Sequence, residues 1–265
     1  MRILFVGDVV GAPGRRIARK RLRGLKRDVG AALTIVNGEN AAGGAGLTAA
    51  TAEELFAAGA DVITTGNHVW DKREAVALLD REPRILRPAN YPEGSPGSGV
   101  AVVTAEGARV AVVNLMGRVF MPLVDDPFRA ADRIVDELRG SAPVILVDFH
   151  AEATSEKLAF GWHLDGRVAA VLGTHTHVAT ADARVLPGGT AFMADVGMTG
   201  AFDSVIGVKK EQAIERFRTS RSIPYETADG DVRLAAVRVD VDPASGTATA
   251  IERIELREDD GGAPG

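Results

Sequence analysis

His175 and His177 stand one residue apart in GTHTH (173–177), behind a short apolar run, in a chain that has only five histidines. In an extended segment residues i and i+2 face the same side, so the pair is expected to aim both imidazoles at one point, where a metal ion is the natural occupant. The other ligand-type residues are placed in the same way. ILFVG leads into Asp8, LTIVNG into Glu39 and Asn40, DVITTG into Asn67 and His68, VILVDF into His150, and VAAVLGT into His175 and His177. Taken singly, each has an ordinary structural role: Asp8 as a helix N-cap, Asn40 and Asn67 as turn residues, His150 as a hydrogen-bonded core histidine. Turn chemistry does not explain why five apolar runs all end in oxygen or imidazole donors, whereas a metal centre needs several from separate parts of the chain.

Asp8, Glu39, Asn40, Asn67, His150, His175 and His177 make seven donors. That is too many for one tetrahedral ion and suits two ions sharing a carboxylate, with Glu39 as the bridge. Two ions about 3.5 to 4 Å apart hold a hydroxide between them and clamp the attacking and leaving oxygens of an in-line displacement at phosphorus.

The elements that must position these groups follow from hydrophobic patterning. Segments 3–8, 33–39, 61–67, 144–150 and 168–177 look like strands buried on both faces, as in a largely parallel, helix-covered sheet. In such α/β sheets, groups after the carboxyl ends of the strands converge on one crevice. Helices are expected over 13–27, 51–59, 71–80, 127–139 and 209–218, the second started by Thr51 and Glu54 at capping-box spacing. Segments 100–115 and 231–256 change to paired strands around turns, as in antiparallel hairpins. Two sheets are therefore expected, in a single domain over 1–256, with the polar, Gly-rich 257–265 as a flexible tail.

Composition narrows the function classes. The 265-residue chain is 46% hydrophobic and 25% charged, an ordinary soluble globular balance. With no cysteine, thiolate zinc sites, disulfides and cysteine nucleophiles are excluded, and a cytoplasmic location is expected. Asp8 interrupts the first apolar run, and no run approaches the roughly 18 residues of a membrane span. A net charge of −5 argues against a stable nucleic-acid partner. The basic stretch Arg15–Arg27 reads as a solvated helix face, with phosphate steering as the alternative.

The ordered set Asp8, GEN (38–40), GNHVWD (66–71), His150 and GTHTH (173–177) resembles the calcineurin-like metallophosphoesterase superfamily. More closely, GDVVG, NGENAAGGAGLT, TTGNHVWD, FHAEATSEK, GTHTHVATAD and ADVGMTG resemble its YmdB-like bacterial branch, through most of residues 1–230. The resemblance implies an α/β/β/α sandwich of two packed mixed sheets flanked by helices, and hydrolysis of cyclic nucleotides, notably 2′,3′-cyclic ones, by bridging-hydroxide attack on phosphorus. It puts Asp8, Glu39, Asn40 and His177 on one ion and Glu39, Asn67, His150 and His175 on the other, and makes His68 the proton donor, with Asp71 in place to orient it. Two departures from the superfamily pattern stand out: the histidine of the usual Asp-x-His is missing, and Glu39 replaces an aspartate. The oxygen-rich set favours iron or manganese, with zinc also accommodated.

Other readings are weaker. Gly44, Gly46 and Ala49 give a dinucleotide-type G-x-G-x-x-A, but Glu39 and Asn40 intervene between strand and glycines. An amidohydrolase has its H-x-H after the first strand rather than the fifth. A broad phosphomonoesterase, or a regulatory metal protein with little turnover, remains the alternative. Thr199 is expected to contact phosphate, FHAEATSEK and ADVGMTGAFDSVIG to shape the pocket, and a homo-oligomer would cover exposed strand edges.

Overall fold

The computed structural model describes residues 1–260. Its elements follow the predicted alternation. Strands β1 (Arg2–Val6) and β2 (Asp8–Val9) precede helix α1 (Gly11–Val29), then come β3 (Leu33–Asn37), α2 (Ala49–Ala58), β4 (Val62–Thr64), α3 (Ala75–Arg81) and β5 (Ile85–Leu86). The second half holds β6 (Val100–Ala105), β7 (Ala108–Met116), α4 (Pro127–Leu138), β8 (Val144–His150), α5 (Thr154–His163) and β9 (Ala170–Thr174). It closes with β10 (Arg184–Val185), β11 (Ala191–Met193), β12 (Met198–Ala201), α6 (Lys210–Thr219), β13 (Val232–Asp242) and β14 (Thr247–Arg257).

Two mixed sheets result. The larger runs β2-β12-β13-β1-β3-β4-β5, with β14 added to β13; the smaller runs β10-β11-β9-β8-β7-β6. Within them β1, β3, β4 and β5 are parallel, as are β7, β8 and β9. The expected hairpins are β6/β7 and β13/β14.

Period-2 alternation builds the layers. Ile3 and Phe5 of β1 pack with Ile35, Val62 and Val237 against Val112, Leu146 and Leu172 of the other sheet. The intervening Leu4 and Val6 turn to the helices, meeting Ile17, Leu22 and Leu55. On the far side Val113, Ile145 and Val147 receive Ile134, Val135 and Phe160 of α4 and α5. Helices, sheet, sheet, helices is the order of the stack, the sandwich that the resemblance implies. Each fully buried Val, Leu or Ile in it contributes about 1.5 to 3 kcal/mol.

Four expectations shift. Helix α2 starts with Thr48 as N-cap: its Oγ accepts from Thr51 N at 3.2 Å, while Thr51 Oγ accepts from Thr48 N at 2.9 Å. Thr51 is thus the third helical residue, and Glu54, freed from capping, pairs with Arg15 at 2.9 Å. Helix α3 begins at Ala75 rather than 71, because Asp71 is engaged in a turn with His68. Helix α5 carries little apolar periodicity and was not expected; stacking of Phe160 on Phe149, 4.0 Å between centroids, holds it to its sheet. Finally, Arg257 belongs to β14 and Glu258 pairs with Arg16 at 2.8 Å, so residues 257–260 are part of the fold, while 261–265 of the expected tail lie outside the described residues.

The basic stretch of α1 is largely spent on the fold. Arg15 binds Glu54 and the Ala41 carbonyl, Arg16 binds Asp229 and Glu258, Lys20 binds the Glu258 carbonyl, and Lys26 binds Asp61. Among the described residues no helix is long and apolar enough to cross a membrane.

Candidate metal centre

The carboxyl ends of the parallel strands open on one edge of the sandwich, and the expected ligands gather there. Asp8 begins β2; Glu39 and Asn40 form the turn after β3; Asn67 and His68 follow β4; His150 ends β8; His175 and His177 follow β9. Around the shared Glu39 the contacts fall into two groups. In one, His150 Nε2 lies 3.0 Å from a Glu39 carboxylate oxygen, 3.0 Å from Asn67 Oδ1 and 3.1 Å from His175 Nδ1. In the other, Asn40 Nδ2 lies 3.2 Å from Glu39 Oε1 and 3.1 Å from His177 Nε2, and that ring sits 3.9 Å from Asp8 Oδ1. A half-turn of the Asn40 amide brings its Oδ1 to the same point, as ligation requires.

The donors fit a cation. Asp8 is fully buried, and its Oδ1 has no hydrogen-bond partner although two imidazoles lie within 4.0 Å. An unpaired buried carboxylate oxygen is costly, and a cation relieves that cost. Ligand atoms of Glu39, His150 and His175 lie within 4.8 Å of one another. Gly66 supplies the floor: a Cβ there would stand 2.3 Å from Glu39 Oε2 and 2.2 Å from His150 Cδ2.

Electrostatics agree. Burial opposes charge on Glu39, yet the adjoining His150 ring outweighs it and holds the carboxyl down at about 2. Burial likewise opposes a proton on His150, but Glu39 and Asp8 raise that imidazole to about 9. Burial and then the facing His150 push His175 down to about 3, so it stays neutral and able to ligate. Glu39 thus draws positive charge into the cluster, while burial pushes the Asp8 carboxyl up, a cost that a cation would relieve.

Behind the candidate ligands lies a polar layer. The Nδ1 of His150 meets Thr174 Oγ1 at 2.9 Å, and Thr174 donates to Asp148 Oδ1 at 2.7 Å. The second Asp148 oxygen accepts from Asn37 at 3.0 Å and from Thr64. This chain fixes Nε2 of His150 as the nitrogen that faces the site. Likewise Glu152 Oε2 sits 3.1 Å from His175 Nε2, and the Ile206 carbonyl accepts from His177 Nδ1 at 2.8 Å.

His175 and His177 converge by a route the extended reading did not contain. Strand β9 ends at Thr174, and both histidines have positive φ, 99° and 66°. Left-handed backbone is unfavourable for residues with a Cβ and persists where surroundings over-determine it. Here buried Lys157 donates to the Thr174 carbonyl at 2.8 Å and to Asp195 Oδ2 at 2.7 Å, and Asp195 accepts from Thr176 N at 3.0 Å and Thr176 Oγ1 at 2.7 Å.

His68 lies at the mouth. Its backbone N donates to Glu39 Oε2 at 3.2 Å and its Nδ1 lies 2.8 Å from Asp71 Oδ2, leaving Nε2 for a substrate. A cavity of about 480 Å³ adjoins it, lined by Asn40, His175 and His177 together with Ile206, Phe217 and Tyr225. Gly43 and Gly44 of GGAG line its rim with φ of 74° and 95°, turns that serve the cleft rather than a dinucleotide. Thr199 does not reach the cleft: it is buried in β12, its hydroxyl between the N (3.2 Å) and O (3.3 Å) of Ala235, because the sheet pairing turns it inward.

Asp148, Glu152, Lys157 and Asp195 are supporting residues absent from the expected set; only Asp148, a charge within the apolar run 144–150, carries a local signal.

Comparison with known proteins agrees with this geometry. Residues 4–254 match the family described as YmdB-like protein. A Bacillus subtilis protein named 2′,3′-cyclic-nucleotide 2′-phosphodiesterase is 51% identical over 98% of this chain and 98% of its own. Among solved structures, a hypothetical protein from Thermus thermophilus is 45% identical with a TM-score of 0.92, covering 97% of this chain and 99% of its own. A phosphatase from Mycoplasma pneumoniae is 36% identical with the same TM-score, covering 97% and 93%. Sequence, fold and cleft together place the chain in the YmdB-like family of calcineurin-like metallophosphoesterases.

Proposed function

We propose that this protein is a metal-dependent phosphodiesterase that hydrolyses 2′,3′-cyclic nucleotides. The observation that carries the reading is the buried, unpartnered Asp8 Oδ1 facing two imidazoles at the open end of the strands. The name of the Bacillus relative supplies the substrate class. Asp8, Glu39, Asn40 and His177 would hold one ion, and Glu39, Asn67, His150 and His175 a second; iron or manganese suits the oxygen-rich set best, and zinc is accommodated. When bound, such a pair neutralises charge on the phosphoryl oxygens and makes water a stronger nucleophile.

The chain's own residues do the rest. Asp71 fixes His68 through Nδ1, so Nε2 carries the proton that the departing sugar oxygen takes as the P–O bond breaks. Water adds at phosphorus as that oxygen leaves; with the 2′ ester cleaved, the product is a nucleoside 3′-monophosphate.

Metal content per chain, with hydrolysis of 2′,3′-cyclic AMP before and after chelation, tests the reading. About two ions and chelator-sensitive hydrolysis are expected; metal without any phosphoester hydrolysis would leave a regulatory metal protein. His68→Ala should lower turnover of 2′,3′-cyclic AMP, whose alkoxide leaves poorly, by about 10²- to 10⁴-fold. It should slow bis-p-nitrophenyl phosphate far less, because nitrophenolate leaves without a proton. Equal losses on both substrates would remove His68 as proton donor.

A further inference from the structure

We infer that the apolar wall formed by α6 and the segment 225–227 is a nucleobase-stacking subsite, with Phe217 and Tyr225 as the stacking surfaces; this deepens the phosphodiesterase reading and rests on it. Phe217 is 80% exposed and Tyr225 41%, so neither aromatic serves the core, and α6 buries only Ala213. Ala213 and Phe217 are four residues apart and share one helix face, and both line the cavity that contains His68, His175 and His177. Beside the candidate ligands, the cavity therefore exposes an aromatic surface to water.

The wall is built rigidly and in register with the ligands. Lys209 N donates to the Glu226 carbonyl at 2.9 Å, Glu226 N to Gln212 Oε1 at 2.9 Å, and Gln212 Nε2 back to Glu226 Oε1 at 3.0 Å, stitching 225–226 to the start of α6. The Arg216 guanidinium lies 4.9 Å over one face of the Tyr225 ring and leaves the other for a base. Bridges link Val205 with Val208 and Val208 with Thr227. In the same loop the Ile206 carbonyl orients His177. One unit thus carries both the wall and a contact to a ligand imidazole.

In a 2′,3′-cyclic nucleotide the base is attached one ring carbon from the phosphate-bearing edge of the ribose, so a phosphate at the ligands leaves the base in the adjoining cavity. The wall is chiefly ring faces and alkyl groups, with the Arg216 guanidinium engaged over Tyr225. It therefore selects for a stacked base without reading its edge, with purines favoured by their larger face.

The test compares kcat/KM for 2′,3′-cyclic AMP and for the base-less methyl riboside 2,3-cyclic phosphate, in metal-replete wild-type enzyme and in Phe217→Ala and Phe217→Trp. The nucleotide should be favoured by about 5- to 100-fold in the wild type. That ratio should fall toward one in Phe217→Ala, mainly through KM, and recover in Phe217→Trp. Equal kcat/KM for the two substrates in the wild type would overturn the subsite while leaving the phosphodiesterase reading intact. Hydrolysis of neither would overturn both. Sedimentation of each variant separates a further outcome: if Phe217→Ala dissociates an oligomer and lowers both substrates alike, the wall is a contact between copies and the subsite is wrong.

Discussion

Gly66→Ala adds one methyl group beneath the site and should disable it without unfolding the chain. The new Cβ would stand 2.2 Å from His150 Cδ2, 2.3 Å from His150 Nε2 and 2.3 Å from Glu39 Oε2. Ordinary contact between such atoms needs about 3.5 Å, so the ring and carboxylate must retreat by roughly 1 Å. Both belong to the candidate ligand set, and a 1 Å misplacement at a reacting centre costs about 10²-fold in rate. At metal concentrations below saturation, weakened ligation adds to this, so kcat/KM for 2′,3′-cyclic AMP should fall at least about 100-fold, equivalent to roughly 2.7 kcal/mol. Global stability should drop only by the roughly 1 to 3 kcal/mol of local overpacking. Gly66 does not lie in the left-handed region, so alanine meets no backbone obstacle there, and the effect is one of space. Gly24→Ala, in α1 with nothing within 4 Å of the added methyl, is the control. It should raise stability by about 0.5 to 1 kcal/mol with unchanged activity. Manganese titration, bound metal by mass spectrometry, urea unfolding and steady-state kinetics give the readouts. A Gly66→Ala enzyme with wild-type metal affinity and kcat/KM would refute the placement of Glu39 and His150 over this glycine.

Thr174→Val removes the hydroxyl between His150 Nδ1 and Asp148, so metal affinity should fall by about 10- to 100-fold in a titration, with near-native circular dichroism. Unchanged affinity would mean that the hydroxyl does not orient the ring. Lys157→Met leaves Asp195 buried without its cation and should cost about 3 to 5 kcal/mol in urea unfolding. A loss below about 1 kcal/mol would show that the carboxylate is satisfied by its remaining donors, Thr176 and Gly197.

The gathering of the candidate ligands at the strand ends is legible because a buried parallel strand gives a continuous apolar run, and the first polar group after it stands out. The loops were not legible in the same way. The i, i+2 argument brought His175 and His177 together for a reason that does not operate, since both adopt positive φ beyond the end of β9. What holds them is Lys157 and Asp195, 38 residues apart, a tertiary pair that no local pattern signals. Thr199 failed for the converse reason: a hydroxyl in a strand can be spent on a neighbouring strand, and only the pairing of β12 with β13 shows that it is.

The polar layer behind the ligands follows a rule that local sequence does contain. Along β8, Leu146, Asp148 and His150 share one face; along β3, so do Leu33, Ile35 and Asn37; along β9, Ala170, Leu172 and Thr174; along β4, Val62 and Thr64. The first members of each series lie in the core between the sheets. The next, Asn37, Thr64, Asp148 and Thr174, bond to one another. His150 then emerges at the site, two residues beyond Asp148. The inter-sheet layer thus grades from hydrocarbon to a closed hydrogen-bonded layer to the ligands, all on one strand parity. Were His150 to sit directly on the hydrocarbon core, its Nδ1–H would be left unpaired, at about 1 to 3 kcal/mol. The intermediate layer therefore serves the site through His150, by way of Thr174 and Asp148. Two residues before His150 stands Asp148, and two before Glu39 stands Asn37, so part of this layer is readable from the strand parity of the sequence.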